Sequence, residues 1–172
     1  LADIPLSEEK DKVYGILAAR ERISQINLHF IREWPDCREI HVEGRKIFFV
    51  HGSLEDHLEG YVYLDTDFSI LQEYAYDAIF MGHTHYPFVL SYCGIQVVNV
   101  GSCGLPRDQG NVAAFAIYDT SIHCTEIFRL PFDTQKIIQS FGQIPISHEV
   151  IDCFNRRSHT PLFGLQVNED TL

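Results

Sequence analysis

The chain has 172 residues, 45% of them hydrophobic and 12% aromatic, which suits a single domain over residues 1–172 with a sizeable core. Against 24 Asp and Glu stand 13 Lys and Arg, a net charge of −11 with no basic run, so binding bare nucleic acid through phosphate neutralisation is disfavoured. No apolar run is long enough to span a bilayer, so no membrane partner is expected of these residues. The opening LADIPLSEEKDK, starting at Leu1 without a preceding strand, reads as a fragment, a processed chain or a chain whose start is not included. Ser7, followed by Glu8 and Glu9, can cap a helix. Apolar residues then recur at helical spacing at Val13, Ile16, Leu17, Ile23, Ile26 and Phe30 until Pro35. Ser24 can start a second helix running to about Trp34, so 7–34 reads as one or two amphipathic helices.

REIHVEGRKIFFVHGS reads as a hairpin turning at Glu43-Gly44, with Lys46 to Val50 apolar enough to be buried on both faces. Residues 54–67 read as loop, Phe68 to Tyr74 as a short helix and Asp77 to Met81 as another apolar strand. PFVLSYCGIQVVNVGS alternates around Cys93-Gly94 like a second hairpin, and GLPRDQGN is a Gly- and Pro-rich loop. VAAFAIYD and HCTEIFRLPFD are two further antiparallel strands, and Asp133 or Thr134 caps a helix to about Phe141. Residues 142–172 form a tail with no assigned organisation, expected to be mobile at its end.

Three strand ends attract attention: Val50-His51-Gly52, Met81-Gly82-His83-Thr84-His85 and Val100-Gly101-Ser102. Ligands of open α/β sheets bind beyond the carboxyl ends of strands, and neutral imidazole suits zinc, iron and similar metals. Two His one residue apart on a loop can reach two different metals, and Gly82 would let the backbone turn sharply there. A lone His after an apolar strand is more often a packed structural residue, so it is the pairing of the two strand ends that points to a site. His29, His41, His57, His123, His148 and His159 lack that context and read as surface or packing residues. The five cysteines are widely spaced with no C-x-x-C pair, which fits a reduced, cytoplasmic setting. Arg107 could hold a phosphate, since a guanidinium matches its oxygens bidentately; a salt bridge to Asp108 or another acid is the competing reading.

F-V-H-G-S, then D-A-I-F-M-G-H-T-H, then N-V-G-S-C-G-L-P-R-D resemble the calcineurin-like metallophosphoesterase superfamily, in its small bacterial and archaeal phosphodiesterase-like branch. The later L-P-F-D adds to the match, which runs from about residue 24 to 141. The resemblance implies a four-layer α-β-β-α sandwich and a hydrolase acting on a phosphate-ester substrate through two divalent transition metal ions bridged by hydroxide. Manganese, iron, zinc or nickel would suit the histidines. It implies that His51 and His83 share one metal and that His85 binds the other. The family's earlier motifs, D-x-H, G-D and G-N-H, are absent; Gly110-Asn111 is followed by Val112 and comes too late. The chain thus reads as the C-terminal part of such a domain with the N-terminal strands missing, and the family's acid/base residue has no counterpart. Three protein ligands is the usual minimum for a catalytic zinc-like site, so weak metal binding and poor activity are expected of this chain alone. Open sheet edges would call for the missing N-terminal segment or a second copy of the chain. The alternatives are a non-catalytic scaffold or binding subunit, and a mononuclear site of His51, His83 and an acid such as Glu55 or Asp56.

Overall fold

The computed structural model describes residues 8–142 and 146–157, so the expected cap at Ser7 and much of the 142–172 tail lie outside the described residues. Two compact units make up the chain: Asp36–Asp133 with Cys153–Leu172, and Leu1–Pro35 with Thr134–Asp152.

The larger unit carries a five-stranded sheet. β1 (Cys37–Val42) and β2 (Arg45–Val50) form the first hairpin. β3 (Ala78–Met81) lies parallel to β2, and β4 (Phe88–Tyr92) with β5 (Ile95–Asn99) forms the second hairpin. β3 also pairs in parallel with β5, giving the order β1-β2-β3-β5-β4. Glu43-Gly44 and Cys93-Gly94 all have positive φ. That is the mirror-image two-residue turn whose twist matches the flanking strands.

Both faces of this sheet are covered, which explains why its parallel strands are apolar throughout. On one face, Phe48, Val50, Ile79, Met81 and Val97 pack under Val62, Phe68 and Leu71 of the 51–77 connection. In that connection the expected short helix is a 3-10 turn, Ser69–Glu73, started by Asp67 Oδ1 accepting the Ser69 N–H at 2.9 Å. On the other face, Ile47, Ala78, Phe80 and Val98 pack against Ala116 and Tyr118. Those two residues belong to β6 (Val112–Asp119), which pairs antiparallel with β7 (Cys124–Pro131) in a second sheet. The architecture is mixed α/β, with two sheets face to face. Burial of β2 is incomplete, because Phe49 is left 38% exposed, stacked 5.3 Å from Phe80. The outer face of the second sheet is apolar and open: Phe115 stacks on Phe128 at 5.1 Å, with Ile117 and Leu130 exposed beside them.

The smaller unit is helical. α1 (Glu8–Tyr14) and α2 (Ile16–Arg22) are separated at Gly15, whose φ of 60° breaks the helix. α3 (Gln25–Arg32) starts as expected at Ser24, whose hydroxyl accepts the Asn27 N–H at 3.2 Å. Three helices therefore replace one or two. Much of their apolar stripe is exposed, with Phe30 and Trp34 packing edge-on against each other at 5.7 Å rather than into a core. α4 (Thr134–Ser140) follows the second sheet, and α5 (His148–Asn155) crosses the tail that had no assigned organisation. Ser147 Oγ caps α5 by accepting the Val150 N–H at 3.3 Å.

One carboxylate clamps the start of the parallel pair. Asp77 Oδ2 accepts the Lys46 N–H at 2.8 Å and Oδ1 accepts Arg45 Nη1 at 2.9 Å. The Lys46 N–H, then the Arg45 guanidinium, hold the Asp77 carboxyl below its ordinary range. A depressed carboxyl pKa adds stability above the unfolded-state value of about 3.9, and that stability is lost as pH falls through the folded value. Asp77→Asn should therefore cost about 1–2 kcal/mol at pH 7 and much less at pH 3. Urea denaturation at the two pH values checks this, and an equal loss at both would exclude the charge as the cause.

Candidate metal and phosphate site

The three histidines singled out in the sequence sit at the carboxyl ends of neighbouring parallel strands. His51 follows β2, and His83 and His85 follow β3. The Gly82 N–H donates to the His51 carbonyl at 3.0 Å, which draws the two strand ends together. His83 Nδ1 then lies 3.1 Å from His51 Nε2, with ring centroids 5.0 Å apart. The sharp turn is made differently from expectation. Gly82 keeps an ordinary φ and has room for a Cβ, whereas His83 (φ 55°) and His85 (φ 62°) take the left-handed conformation. That costs a non-glycine residue about 1–3 kcal/mol and persists only where surroundings enforce it.

The enforcing group is Asn99 at the end of β5, whose role was not read from the sequence. It is fully buried, as is Thr84. Asn99 Nδ2 donates to the Gly82 carbonyl at 2.7 Å and to Thr84 Oγ1 at 2.9 Å, while its Oδ1 accepts the Gly101 N–H at 3.0 Å. Gly101 has φ 75°, and a Cβ there would press within 2.9 Å of Ala114 and Pro87. The 84 turn and the 101 turn are thus locked to each other through one carboxamide.

His85 is oriented by the later loop. Its Nδ1 donates to the Leu105 carbonyl at 2.6 Å, leaving Nε2 as the lone-pair nitrogen; metal-binding histidines are commonly fixed in this way. Arg107 is in the same loop, and its N–H reaches the His85 carbonyl at 3.4 Å. The next residue, Asp108, is 2% exposed. Its buried carboxylate lies 2.6 Å from Arg129 Nη1 on β7, close in distance but off the hydrogen-bond direction. That pair anchors the loop to the second sheet.

Burial, then the neighbouring His51, pushes the His83 imidazole below its usual pKa; Glu59 opposes, and Arg107 and His85 add to the shift. Burial also lowers His85, opposed by the Leu105 carbonyl and aided by Arg107 and His51. Both rings are therefore neutral near pH 7, the form that binds metal.

The residues present fit part of a metal centre. His83 Nε2 is buried without a hydrogen-bond partner, which has a cost unless something occupies it. The 3.1 Å between His51 Nε2 and His83 Nδ1, a different nitrogen from the unpartnered Nε2, is close to the roughly 3.3 Å between two donors of one tetrahedral ion with bonds of about 2.0–2.1 Å. Among the described residues, no group of three or more His, Cys, Asp or Glu could hold an ion. The mononuclear alternative with Glu55 or Asp56 has no such cluster behind it. Asp56 Oδ1 is engaged by the Leu58 and Glu59 N–H groups at 3.3 and 3.0 Å, and the acid whose charge reaches His83 is Glu59. Of the remaining histidines, His123 bonds Tyr118 and Gly94, His29 pairs with Glu33 and His41 with Glu39. His159 lies outside the described residues.

Residues 9–122 match the calcineurin-like phosphoesterase superfamily domain, and the chain belongs to that superfamily, whose members generally use divalent metals. It is 33% identical over 138 residues to an uncharacterized protein of Methanocaldococcus jannaschii, covering 71% of this chain and 56% of that one. Its fold is similar to the crystal structures of a hypothetical protein from Pyrococcus horikoshii (TM-score 0.74, 19% identity, 89% of this chain and 62% of that one) and of a metallophosphoesterase from Sphaerobacter thermophilus (TM-score 0.71, 17% identity, 88% and 70%). The chain thus spans little more than half the length of the curated relative.

Replacing Asn99 by Leu removes two donated hydrogen bonds and one accepted one from three buried or partly buried backbone and side-chain groups. The expected loss is about 2–4 kcal/mol in urea denaturation. A loss under about 0.5 kcal/mol would mean that water or relaxation satisfies those groups equally well.

Proposed function

We propose that this chain is the histidine-bearing C-terminal part of a metal-dependent phosphoesterase that hydrolyses a phosphodiester or phosphomonoester. The observation that carries this reading is His83, half-buried and held in the left-handed backbone conformation, with its Nδ1 3.1 Å from His51 Nε2. In this reading His51 and His83 hold one divalent ion and His85 the second. Such ions neutralise charge developing on phosphate oxygens and acidify water. Arg107 binds a phosphate oxygen pair through its guanidinium, and the Asp108–Arg129 pair holds that loop in place. The remaining ligands and the acid for the leaving group come from a segment carrying the D-x-H, G-D and G-N-H motifs; a second copy of the chain, which lacks those motifs, would cover only open sheet edges. Among the described residues no helix is long and apolar enough to cross a membrane, and a cytoplasmic setting is part of the proposal.

A non-catalytic scaffold is the second reading, favoured by the lack of a three-ligand group among the described residues. Calorimetric titration with manganese or zinc separates the two. The phosphoesterase reading expects weak binding that His83→Ala abolishes and that His57→Ala leaves intact. It also expects bis(4-nitrophenyl) phosphate hydrolysis close to the buffer blank for the 172-residue chain, rising at least tenfold when a polypeptide with the three upstream motifs is added. Metal binding indifferent to His83→Ala would overturn it in favour of the scaffold.

A further inference from the structure

The chain returns to the candidate site long after the histidines. Cys153–Arg157, the end of α5 and the two residues beyond it, belong to the larger unit. They lie directly on the loop that carries Arg107. The Gly110 N–H donates to the Arg156 carbonyl at 2.9 Å. A Cβ on Gly110 would collide with the Cys153 carbonyl and the Phe154 backbone, so the close approach of the two segments needs a glycine. Phe154 is buried and stands edge-on to Phe132, just beyond β7, with 6.3 Å between centroids. Arg157 Nη1 donates to the Phe154 and Arg156 carbonyls at 3.0 and 2.8 Å, which satisfies the end of α5. The backbone is thus anchored on both sides of Arg156.

From that anchored backbone the Arg156 side chain makes two long-range bonds with one nitrogen. Nη1 donates to the Arg107 carbonyl at 2.8 Å and to Tyr86 Oη at 3.3 Å. Tyr86 follows His85, so these bonds tie the His85 turn to the Arg107 loop. The direct link between the two, from the Arg107 N–H to the His85 carbonyl, is a long 3.4 Å. A charged donor that reaches both is the stronger tie. Arg156 is exposed, yet its donors go to partners 70 and 49 residues away rather than to water or a neighbouring acid. The loop it holds also orients His85 through the Leu105 carbonyl. We propose that Cys153–Arg157 is a strap that holds the 105–110 loop against the His85 turn, with Arg156 as the positioning residue for phosphate binding by Arg107. Only the service to phosphate rests on the phosphoesterase reading above.

Because both bonds leave one nitrogen, a lysine ammonium with three donors can replace them and a methionine cannot. The test compares the 172-residue chain with its Arg156→Lys and Arg156→Met variants. Hydrogen exchange followed by NMR reads the strap at the Gly110 N–H and its effect at the His85 Nδ1–H. Arg156→Met should speed exchange at both about tenfold and leave the Asn99 carboxamide protected, while Arg156→Lys stays near the wild type. Inorganic phosphate, titrated with zinc present, should shift the Arg107 Nε–H signal, with an affinity about tenfold weaker in the Met variant and retained in the Lys variant. Circular dichroism and the Asn99 protection separate a released loop from a lost fold. A folded Met variant whose Gly110 and His85 protons exchange like the wild type would overturn the strap. Phosphate affinity lost equally in both variants, with exchange in the Lys variant unchanged, would make Arg156 a direct phosphate contact and overturn the positioning role. An Arg107 signal that phosphate does not move in the wild type, with faster exchange still seen in the Met variant, would sink the phosphate reading and keep the strap.

Discussion

The Asn99 carboxamide is the constraint on which the rest of the site depends. β3 and β5 run in parallel with Met81 opposite Asn99, so their carboxyl ends emerge side by side. Two loops then leave the sheet at the same level, each with backbone groups that the ladder no longer satisfies. A single buried amide can serve the Gly82 carbonyl, the Thr84 hydroxyl and the Gly101 N–H together, because it offers two donors and an acceptor in one plane. An aspartate would lack the donors and a leucine would lack everything. With both loops fixed, His83 and His85 have no route back to an ordinary backbone conformation, and their strain persists as geometry.

Much of this was legible in the sequence where a local rule decides the outcome. Glu43-Gly44 and Cys93-Gly94 between alternating strands specify two-residue turns, and both hairpins form around them. Ser24 announces α3 through its hydroxyl. The G-H-T-H motif marks the place where the histidines gather. What escaped depends on distant partners. Gly82 looked like the flexible residue, yet the left-handed positions are the histidines, because the demand comes from Asn99, seventeen residues on. α5 was hidden in a stretch of mixed polarity, although Ser147 ahead of Val150, Ile151 and Phe154 carries a capping and periodicity signal. The pairing of Asp108 with Arg129 on a distant strand could not be seen from adjacency.

The superfamily assignment and the geometry meet at the ends of β2 and β3, where the histidines gather. The chain brings imidazoles, an arginine and a stiff scaffold, and among the described residues it brings no carboxylate that joins the histidines in an ion-holding group. A cation placed among them would gain only part of the charge compensation that a carboxylate gives. The apolar outer face of the second sheet, with Phe115, Ile117 and Leu130 exposed, is a surface of the kind that further polypeptide covers.

The path from His85 to Leu105, along the loop to Asp108 and across to Arg129, makes a two-stranded sheet the mechanical support of a histidine on another sheet. A two-stranded ribbon is among the first parts of a fold to open. On heating, β6 and β7 should therefore loosen while the five-stranded sheet still holds. His85 would lose its orientation with its own strand intact, so the temperature at which the site fails is set by its weakest remote brace rather than by the melting of the core.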